Sequence, residues 1–193
     1  MALAALARGE LIAFPTDTVY GVGARAFDVQ AVARLYPAKG RPESKPIPIL
    51  IGEAADLALV SQDPGPWAEL LARRFWPGPL TLVVWRHAEV PEAVSAGPTV
   101  GVRVPDLEIT RRLLQQSGPL AVTSANRSGD PPACTAKEAY EALVGCIALL
   151  LDGGATPGGR ASTVVDCSRE PPRVLRPGPI DESTLFEQAP GAR

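Results

Sequence analysis

A short apolar run followed by a hydroxyl-rich turn, at residues 11–18, restricts the possible fold more than any other feature of the sequence. The run Leu11–Phe14 has the length of a buried strand, and Pro15 ends it because proline has no N–H for a sheet hydrogen bond. Thr16-Asp17-Thr18 follows where this strand stops. Ligands of α/β proteins usually bind at strand ends, so the sequence predicts a binding site beside Thr16.

A helix is predicted after this turn, with Asp28 placed to cap its first residues. It must end at Pro37 or soon after, because proline disrupts a helix interior. The apolar residues at helical spacing that predict its buried face are Val29, Val32, Ala33 and Tyr36. The preceding glycines, in Gly21–Ala26, match a dinucleotide-binding fingerprint only loosely, since a hydroxyl-rich segment separates them from the strand. We interpret them as open backbone.

A basic loop follows the predicted helix and contains Lys39, Arg41 and Lys45, with Glu43 as its acid. Most clusters of this kind are solvated surface loops. Here Gly40 permits a ligand to approach closely, and flanking prolines restrict the backbone. A guanidinium binds phosphate through two hydrogen bonds, and an ammonium adds a point charge. The loop therefore favours triphosphate binding.

A second polar segment, Thr123–Gly129, follows a predicted strand over 120–123. An ordinary turn has a similar composition. Ser124 is not in a G-x-S-x-G elbow and lacks an evident histidine partner in the sequence, so we do not predict it as a nucleophile. Ser124 and Asn126 suit hydrogen bonding to phosphate, or to the water shell of a metal ion. Arg103 lies opposite the valines of the strand 99–104, as a surface or paired arginine would.

Strands and helices alternate along the rest of the chain without an internal repeat or linker, which predicts one three-layer α/β domain over residues 1–193 with a twisted mixed sheet. The strand 47–51 is expected at an edge or with a bulge because of Pro48, and 147–151 is expected at the centre. The further predicted strands are 81–85, 162–166 and 173–175. The further predicted helices are 2–8, 53–60, 67–75, 109–116, 135–144 with a capping box, and 181 to about Gln188.

Composition excludes several functional classes. The formal charge of −2 argues against a globally basic nucleic-acid-binding protein, although not against a local basic groove. No apolar run approaches the roughly 20 residues of a membrane span, and the first residues do not have the pattern of a signal peptide, so we expect a cytoplasmic protein. The three cysteines (Cys134, Cys146, Cys167) are widely separated, which indicates reduced thiols. The single histidine, His87, is expected in a surface loop. The sequence thus offers no ordinary zinc site.

A series of motifs, taken together, resembles the YrdC-like family, the threonylcarbamoyl-AMP synthases. The motifs occur in the family's order and cover nearly the whole chain. They are PTDTVYGVGA at 15–24, AKGRP at 38–42, FWPGPLTLV at 75–83, GVRVPD at 101–106, TSANRSG at 123–129, STVVD at 162–166 and LRPGPI at 175–180. The resemblance implies a single-domain YrdC-like α/β fold.

The resemblance also implies roles for individual residues. The K-x-R pair (Lys39, Arg41) and the S-x-N pair (Ser124, Asn126) match the family's nucleotide site, with the first pair also expected to act in catalysis. Arg176 would close over the ATP. Arg103 would bind the carboxylate of L-threonine, with Thr16 and Ser162 completing the threonine pocket. Mg²⁺ is expected on the phosphates rather than on protein side chains. The resemblance places Leu50 where the family often has histidine, and we expect no additional C-terminal domain of the kind that some relatives have.

The activity implied by the resemblance is synthesis of L-threonylcarbamoyladenylate and pyrophosphate from L-threonine, bicarbonate or CO₂, and ATP. The product would pass to partner transferase proteins that modify the adenosine next to the anticodon of tRNA. One alternative is a non-catalytic protein that binds tRNA or rRNA on a basic concave surface. Another is carbamoyl transfer as in hydrogenase maturation proteins, but those are much larger chains with zinc-finger and acylphosphatase-like segments, which this sequence lacks.

Overall fold

The apolar runs of the chain form one mixed β-sheet. The computed structural model describes residues 1–157 and 159–187 of the chain. The strands are β1 (Ile12–Phe14), β2 (Gly21–Arg25), β3 (Ile49–Leu50), β4 (Ser61–Asp63), β5 (Leu80–Arg86), β6 (Thr99–Arg103), β7 (Leu120–Ser124), β8 (Leu149–Leu150), β9 (Thr163–Asp166) and β10 (Arg173–Arg176). The helices are α1 (Ala2–Ala7), α2 (Val29–Lys39), α3 (Leu57–Val60), α4 (Gly65–Phe75), α5 (Glu108–Ser117), α6 (Ala136–Leu143) and α7 (Glu182–Phe186). A 3₁₀ turn, Ala54–Asp56, precedes α3.

The strands are hydrogen-bonded in the order β10-β9-β5-β6-β3-β7-β2-β1-β8, with β4 on β5. Parallel pairs (β3 with β6, β5 with β9, β1 with β8) alternate with antiparallel ones, so the sheet is mixed. Neighbouring strand residues point to opposite faces. Leu120 therefore packs in the smaller core with α1 and α5, while Ala121 packs in the larger core with α2 and α4. This three-layer arrangement confirms the predicted fold class.

Two strands, β2 and the short β4, were not predicted. Gly21–Arg25 forms β2, which pairs with β1 on one side and β7 on the other. The two glycines are required by packing, because a Cβ at Gly21 or Gly23 would lie 2.8 or 2.9 Å from the side chain of Val122. The interpretation of these glycines as open backbone was therefore wrong. Val122 lies about 100 residues later in the sequence, so the local sequence pattern does not indicate this contact.

The expected positions of two strands in the sheet were also wrong. β3 is central rather than at an edge, because Ile49 and Leu50 pair with both β6 and β7. Pro48 precedes the strand and contributes only its carbonyl, which accepts from Val122 N, so its missing N–H costs nothing there. β8 lies at the edge instead of the centre. It pairs with β1 alone, and its leucines are only half-buried.

The caps of α2 agree with the sequence prediction, whereas its buried face differs in part. The Asp28 carboxylate accepts from Ala31 N, and Gly40 ends α2 in the left-handed conformation, three residues after Pro37. The predicted face of α2 was partly wrong, since Val29 is exposed, as is Ala33. The buried residues are instead Ala31, Val32, Leu35, Tyr36, Ala38 and Lys39. For the predicted final helix, Gln188 lies outside the described residues.

Candidate functional site

A polar cavity of about 190 Å³ lies against the middle of the sheet, between strands β2, β3, β5, β6 and β7. The turn after β1 and the segment before β9 close its sides. Most of the site residues predicted from sequence line this cavity, although they are far apart in the chain. They are Thr16, Arg41, Arg103, Ser124, Ser162 and Arg176. The other two predicted residues, Lys39 and Asn126, are buried beside it rather than in its wall.

Arg103 is buried at the end of β6, with only 5% of its surface exposed. Its Nη2 donates to Asp17 Oδ1 at 2.6 Å, its Nη1 to Thr18 Oγ1 at 2.9 Å and its Nε to Gly78 O at 2.9 Å. Burial lowers the pKa of Arg103, and the Asp17 carboxylate opposes that shift. These contacts use three of the five guanidinium N–H groups, which leaves one on each terminal nitrogen for a ligand.

The turn that follows β1 is organised by Thr16. Its hydroxyl donates to Val19 O at 2.7 Å and accepts from the backbone N–H of Thr18 and of Val19. It also shares a 3.0 Å hydrogen bond with the Thr18 hydroxyl. The turn is therefore rigid, and it connects the wall of the cavity to Arg103 through Thr18. Sequence reasoning identified Thr16 but did not assign a role to Thr18 or Asp17.

Ser162 and Arg176 form a second cluster that lines the same cavity. The Ser162 hydroxyl shares a 2.7 Å hydrogen bond with that of Thr81, a residue of β5 that was not predicted as part of the site. Arg176 donates through Nε and Nη2 to Ser162 O, at 3.1 and 2.8 Å. Burial lowers the pKa of Arg176, and the positive charge of Arg103 lowers it further. Arg103 and Arg176 thus raise the potential of the same cavity.

Tyr20 was not predicted as a site residue, yet it lines the cavity. Its hydroxyl donates to Gly154 O at 2.7 Å and accepts from Gly153 N at 3.1 Å. It thereby fixes the beginning of the Gly-rich stretch, residues 152–160, that follows β8. Gly158 of that stretch lies outside the described residues.

The K-x-R and S-x-N pairs are joined by direct contacts. Lys39 is only 2% exposed to solvent. Its ammonium donates to the backbone carbonyls of Ser124 and Asn126. Ser128 N donates in turn to Lys39 O at 2.8 Å. Arg41 extends to the cavity wall, where it donates to Lys45 O and Pro46 O of its own loop. Lys39 therefore connects the basic loop to the segment after β7.

Asn126 has one satisfied and one free polar group. Its Nδ2 donates to Arg127 O at 2.7 Å and Asp130 O at 2.8 Å. Its Oδ1 is buried and has no hydrogen-bond partner within residues 1–157 and 159–187. A buried acceptor of this kind is costly unless a ligand or water satisfies it. Leu50, which the motif resemblance places where the family often has histidine, lines the cavity with an apolar side chain.

The charges of the cavity favour an anionic ligand. Three guanidinium groups line it, from Arg41, Arg103 and Arg176, and Asp17 neutralises one of them. Arginine forks match carboxylate and phosphate oxygens. Across the described part of the chain, His, Cys, Asp and Glu side chains form no group of three that could bind a metal ion. His87 is a half-exposed loop residue after β5, and the three cysteines are free. Nor is any described helix long and apolar enough to cross a membrane.

Lys39 gives the stability of the fold a specific pH dependence. Burial, and to a lesser extent the charge of Arg41, lowers the Lys39 pKa from 10.5 to about 8. Between these values the unfolded chain retains a proton that the folded protein has released. The free energy of unfolding should therefore rise with pH across this window by up to about 3 kcal/mol relative to a Lys39→Met variant. Urea titrations at several pH values measure this difference, and Lys137→Met, an exposed lysine of α6, controls for overall charge. If the difference in free energy of unfolding between the unmodified protein and Lys39→Met did not change with pH, the burial of a charged Lys39 would be contradicted.

Gly178 permits the close approach that places Arg176 beside Ser162. A Cβ at this position would lie 2.2 Å from Thr163 N and 2.6 Å from Ser162 C, which are backbone atoms that cannot rotate away. Gly178→Ala should therefore destabilise the protein by about 1–3 kcal/mol in chemical denaturation. The matched control is Gly97→Ala, since no atom lies within 4 Å of a Cβ there. Equal stability of the two variants would contradict the expectation.

The chain matches the Sua5_yciO_yrdC family, described as "Telomere recombination", over residues 4–178. It is 46% identical to the threonylcarbamoyl-AMP synthase of Pyrococcus abyssi over 178 residues, which is 90% of this chain and 52% of that protein. It is 42% identical to a putative threonylcarbamoyl-AMP synthase of Mycobacterium tuberculosis, with 96% of this chain and 86% of that protein covered. The chain thus spans about half the length of the Pyrococcus relative.

The fold is also that of a solved relative. The crystal structure of P. abyssi Sua5 complexed with L-threonine superimposes with a TM-score of 0.93 and 42% identity. The match covers 96% of this chain and 55% of that one.

Proposed function

Because the chain belongs to the Sua5_yciO_yrdC family, we propose that it is a threonylcarbamoyl-AMP synthase, a nucleotidyltransferase that makes L-threonylcarbamoyladenylate and pyrophosphate from L-threonine, bicarbonate or CO₂, and ATP. The observation that carries this proposal is the cavity, in which three arginines and a set of hydroxyl groups line one small polar space. Such a space suits a carboxylate and a polyphosphate together. The names of the relatives and the threonine complex of Sua5 support the same activity.

L-threonine is assigned to the side of the cavity formed by β6 and the turn after β1. The two remaining N–H groups of Arg103 would bind its carboxylate. Thr16 and Ser162, which line the same cavity, would contact its polar groups. Fixing the amino acid in this way holds its amine next to the other reactants, and such proximity alone can supply several kcal/mol of rate enhancement.

ATP is assigned to the basic loop and the segment after β7. Arg41 and Lys39 would balance the charge of the triphosphate. Ser124 and Asn126 would form hydrogen bonds with the phosphate groups or with the water around them. Arg176 would cover the nucleotide. Negative charge grows toward the pyrophosphate as it leaves. Cations that are already in place stabilise this charge without reorganisation, which makes Lys39 and Arg41 the proposed catalytic residues.

The residues present are compatible with Mg²⁺ bound chiefly through phosphate oxygens and water. The buried Oδ1 of Asn126 lacks a partner within the described chain and would accept a hydrogen bond from that water shell. When bound, the ion would screen the charge of the triphosphate. The protein side chains need supply no carboxylate ligand for this purpose.

The reaction needs no covalent enzyme intermediate. The threonine amine adds to CO₂ and loses a proton to solvent, or condenses with bicarbonate and releases water, and either route gives a carbamate. A carbamate oxygen then attacks the α-phosphate while the bond to pyrophosphate breaks. Arg103 orients the amino acid and the basic groups orient the triphosphate for in-line attack.

The alternative of a non-catalytic RNA-binding protein is not favoured. Lys39 is almost fully buried and donates to backbone carbonyls, and Arg41 donates to carbonyls of its own loop. These two cations therefore do not form an exposed basic surface that could bind the phosphates of an RNA backbone. We further propose that the product is used in the cytoplasm by partner transferase proteins that modify tRNA adenosine next to the anticodon.

Pyrophosphate release tests the proposal. The purified chain is incubated with ATP, Mg²⁺ and bicarbonate, with and without L-threonine. Release that depends on L-threonine supports the synthase. No release from folded protein that binds ATP would contradict it, and salt-dependent binding to tRNA would then favour the RNA-binding alternative.

A further inference from the structure

The Arg103 guanidinium is fixed by three protein groups, of which only Asp17 is charged. The Asp17 carboxylate lies 2.6 Å from Nη2, and the two side chains are 12% and 6% exposed. Thr18 and Gly78 supply neutral acceptors for Nη1 and Nε. An ion pair with this geometry, largely removed from solvent, fixes the orientation of the arginine.

We propose that Asp17 is a positioning residue of the threonine site, which holds Arg103 so that its remaining N–H groups face the substrate carboxylate. The inference rests on the proposed function. Arg103 lines the cavity, whereas Asp17 does not. Asp17 therefore acts through the arginine and is neither a substrate ligand nor a base for the threonine amine.

The turn after β1 explains why Asp17 can perform this role. Thr16 Oγ1 accepts from the N–H groups of Thr18 and Val19, which fixes the backbone on the C-terminal side of Asp17. The same turn presents Thr16 to the cavity and Thr18 to Arg103. One rigid turn thus supplies a wall of the pocket and two of the three acceptors for Arg103. Displacing the Asp17 carboxylate would leave Nη2 without its charged partner.

L-threonine affinity, measured by calorimetry on the full chain, tests the role. Asp17→Ala should weaken L-threonine binding by about tenfold or more and leave ATP affinity within about twofold. Asp17→Asn should give a smaller loss, because its amide oxygen can still accept from Nη2. Asp28→Ala, which removes the α2 cap and is destabilising for a different reason, should leave both affinities unchanged. Equal loss of L-threonine and ATP affinity in Asp17→Ala would overturn the proposal.

A second readout separates this inference from the proposed function. The side-chain N–H signals of Arg103, in ¹⁵N NMR spectra of the ligand-free protein, report its orientation without substrate. Slow-exchanging Nη signals that are lost in Asp17→Ala support positioning, and unchanged signals overturn it. If the unmodified chain binds no L-threonine, the proposed function fails, and these signals still decide whether Asp17 positions Arg103.

Discussion

Arg103→Met is expected to reduce L-threonine-dependent pyrophosphate release by about 100-fold or more and to lower the free energy of unfolding by about 3–5 kcal/mol. The substitution removes the proposed carboxylate ligand. It also leaves the Asp17 carboxylate buried without its partner, and leaves Gly78 O without the Nε donor. Removing one member of a buried ion pair is costly because the other charge stays desolvated. Urea denaturation and pyrophosphate assays measure the two effects.

The double variant Asp17→Asn/Arg103→Met separates stability from activity. With the aspartate neutralised, no buried charge is left unpaired, so part of the lost free energy of unfolding should return. Activity should stay lost, because the carboxylate ligand is still absent. Arg112→Met is the matched control, since its ion pair with Glu108 is exposed and should contribute little to stability. Full activity of the double variant would contradict the assignment of Arg103.

Local sequence signals predicted most elements because their causes are local. The Thr135–Glu138 capping box begins α6 as expected, and Gly118 ends α5 with a positive φ. The alternation of β6 placed Arg103 opposite its valines, as observed. In contrast, β2 and the central position of β3 depend on how distant segments pack, such as Val122 against Gly21. A single sequence gives no local sign of those contacts.

In the candidate site, too, features with local causes were predicted and features that depend on distant contacts were not. Residue type and turn chemistry identified Thr16 and the basic loop, and the motif resemblance added Arg103, Ser162 and Arg176. The partner of Arg103 was not foreseen, because Asp17 lies 86 residues earlier in the chain. The burial of Lys39 was also missed, since the carbonyls that bind it come from residues 85 and 87 positions later. A basic loop looks solvated until the segment that covers it is known.

The contacts of Lys39 lead to the second large effect. Lys39→Met is expected to weaken ATP binding by about 100-fold or more while changing the free energy of unfolding much less than Arg103→Met does. Two causes act on binding: the triphosphate loses a cation, and the carbonyls of Ser124 and Asn126 lose their shared donor. The segment after β7 should then become less ordered. Calorimetry with ATP measures the affinity, and hydrogen exchange over residues 124–130 measures the order.

Stability changes little because two contributions oppose each other in Lys39→Met. Leaving the Asn126 carbonyl without this donor costs about 1–3 kcal/mol, whereas Ser124 O still accepts from Asn126 N at 3.0 Å. Removing a desolvated ammonium, whose pKa is lowered to about 8, offsets part of that cost. Lys137→Met, on the exposed face of α6, should change neither ATP affinity nor exchange near Asn126. If Lys39→Met kept ATP affinity while exchange increased over 124–130, Lys39 would be a structural link between the two loops and not a ligand of the nucleotide.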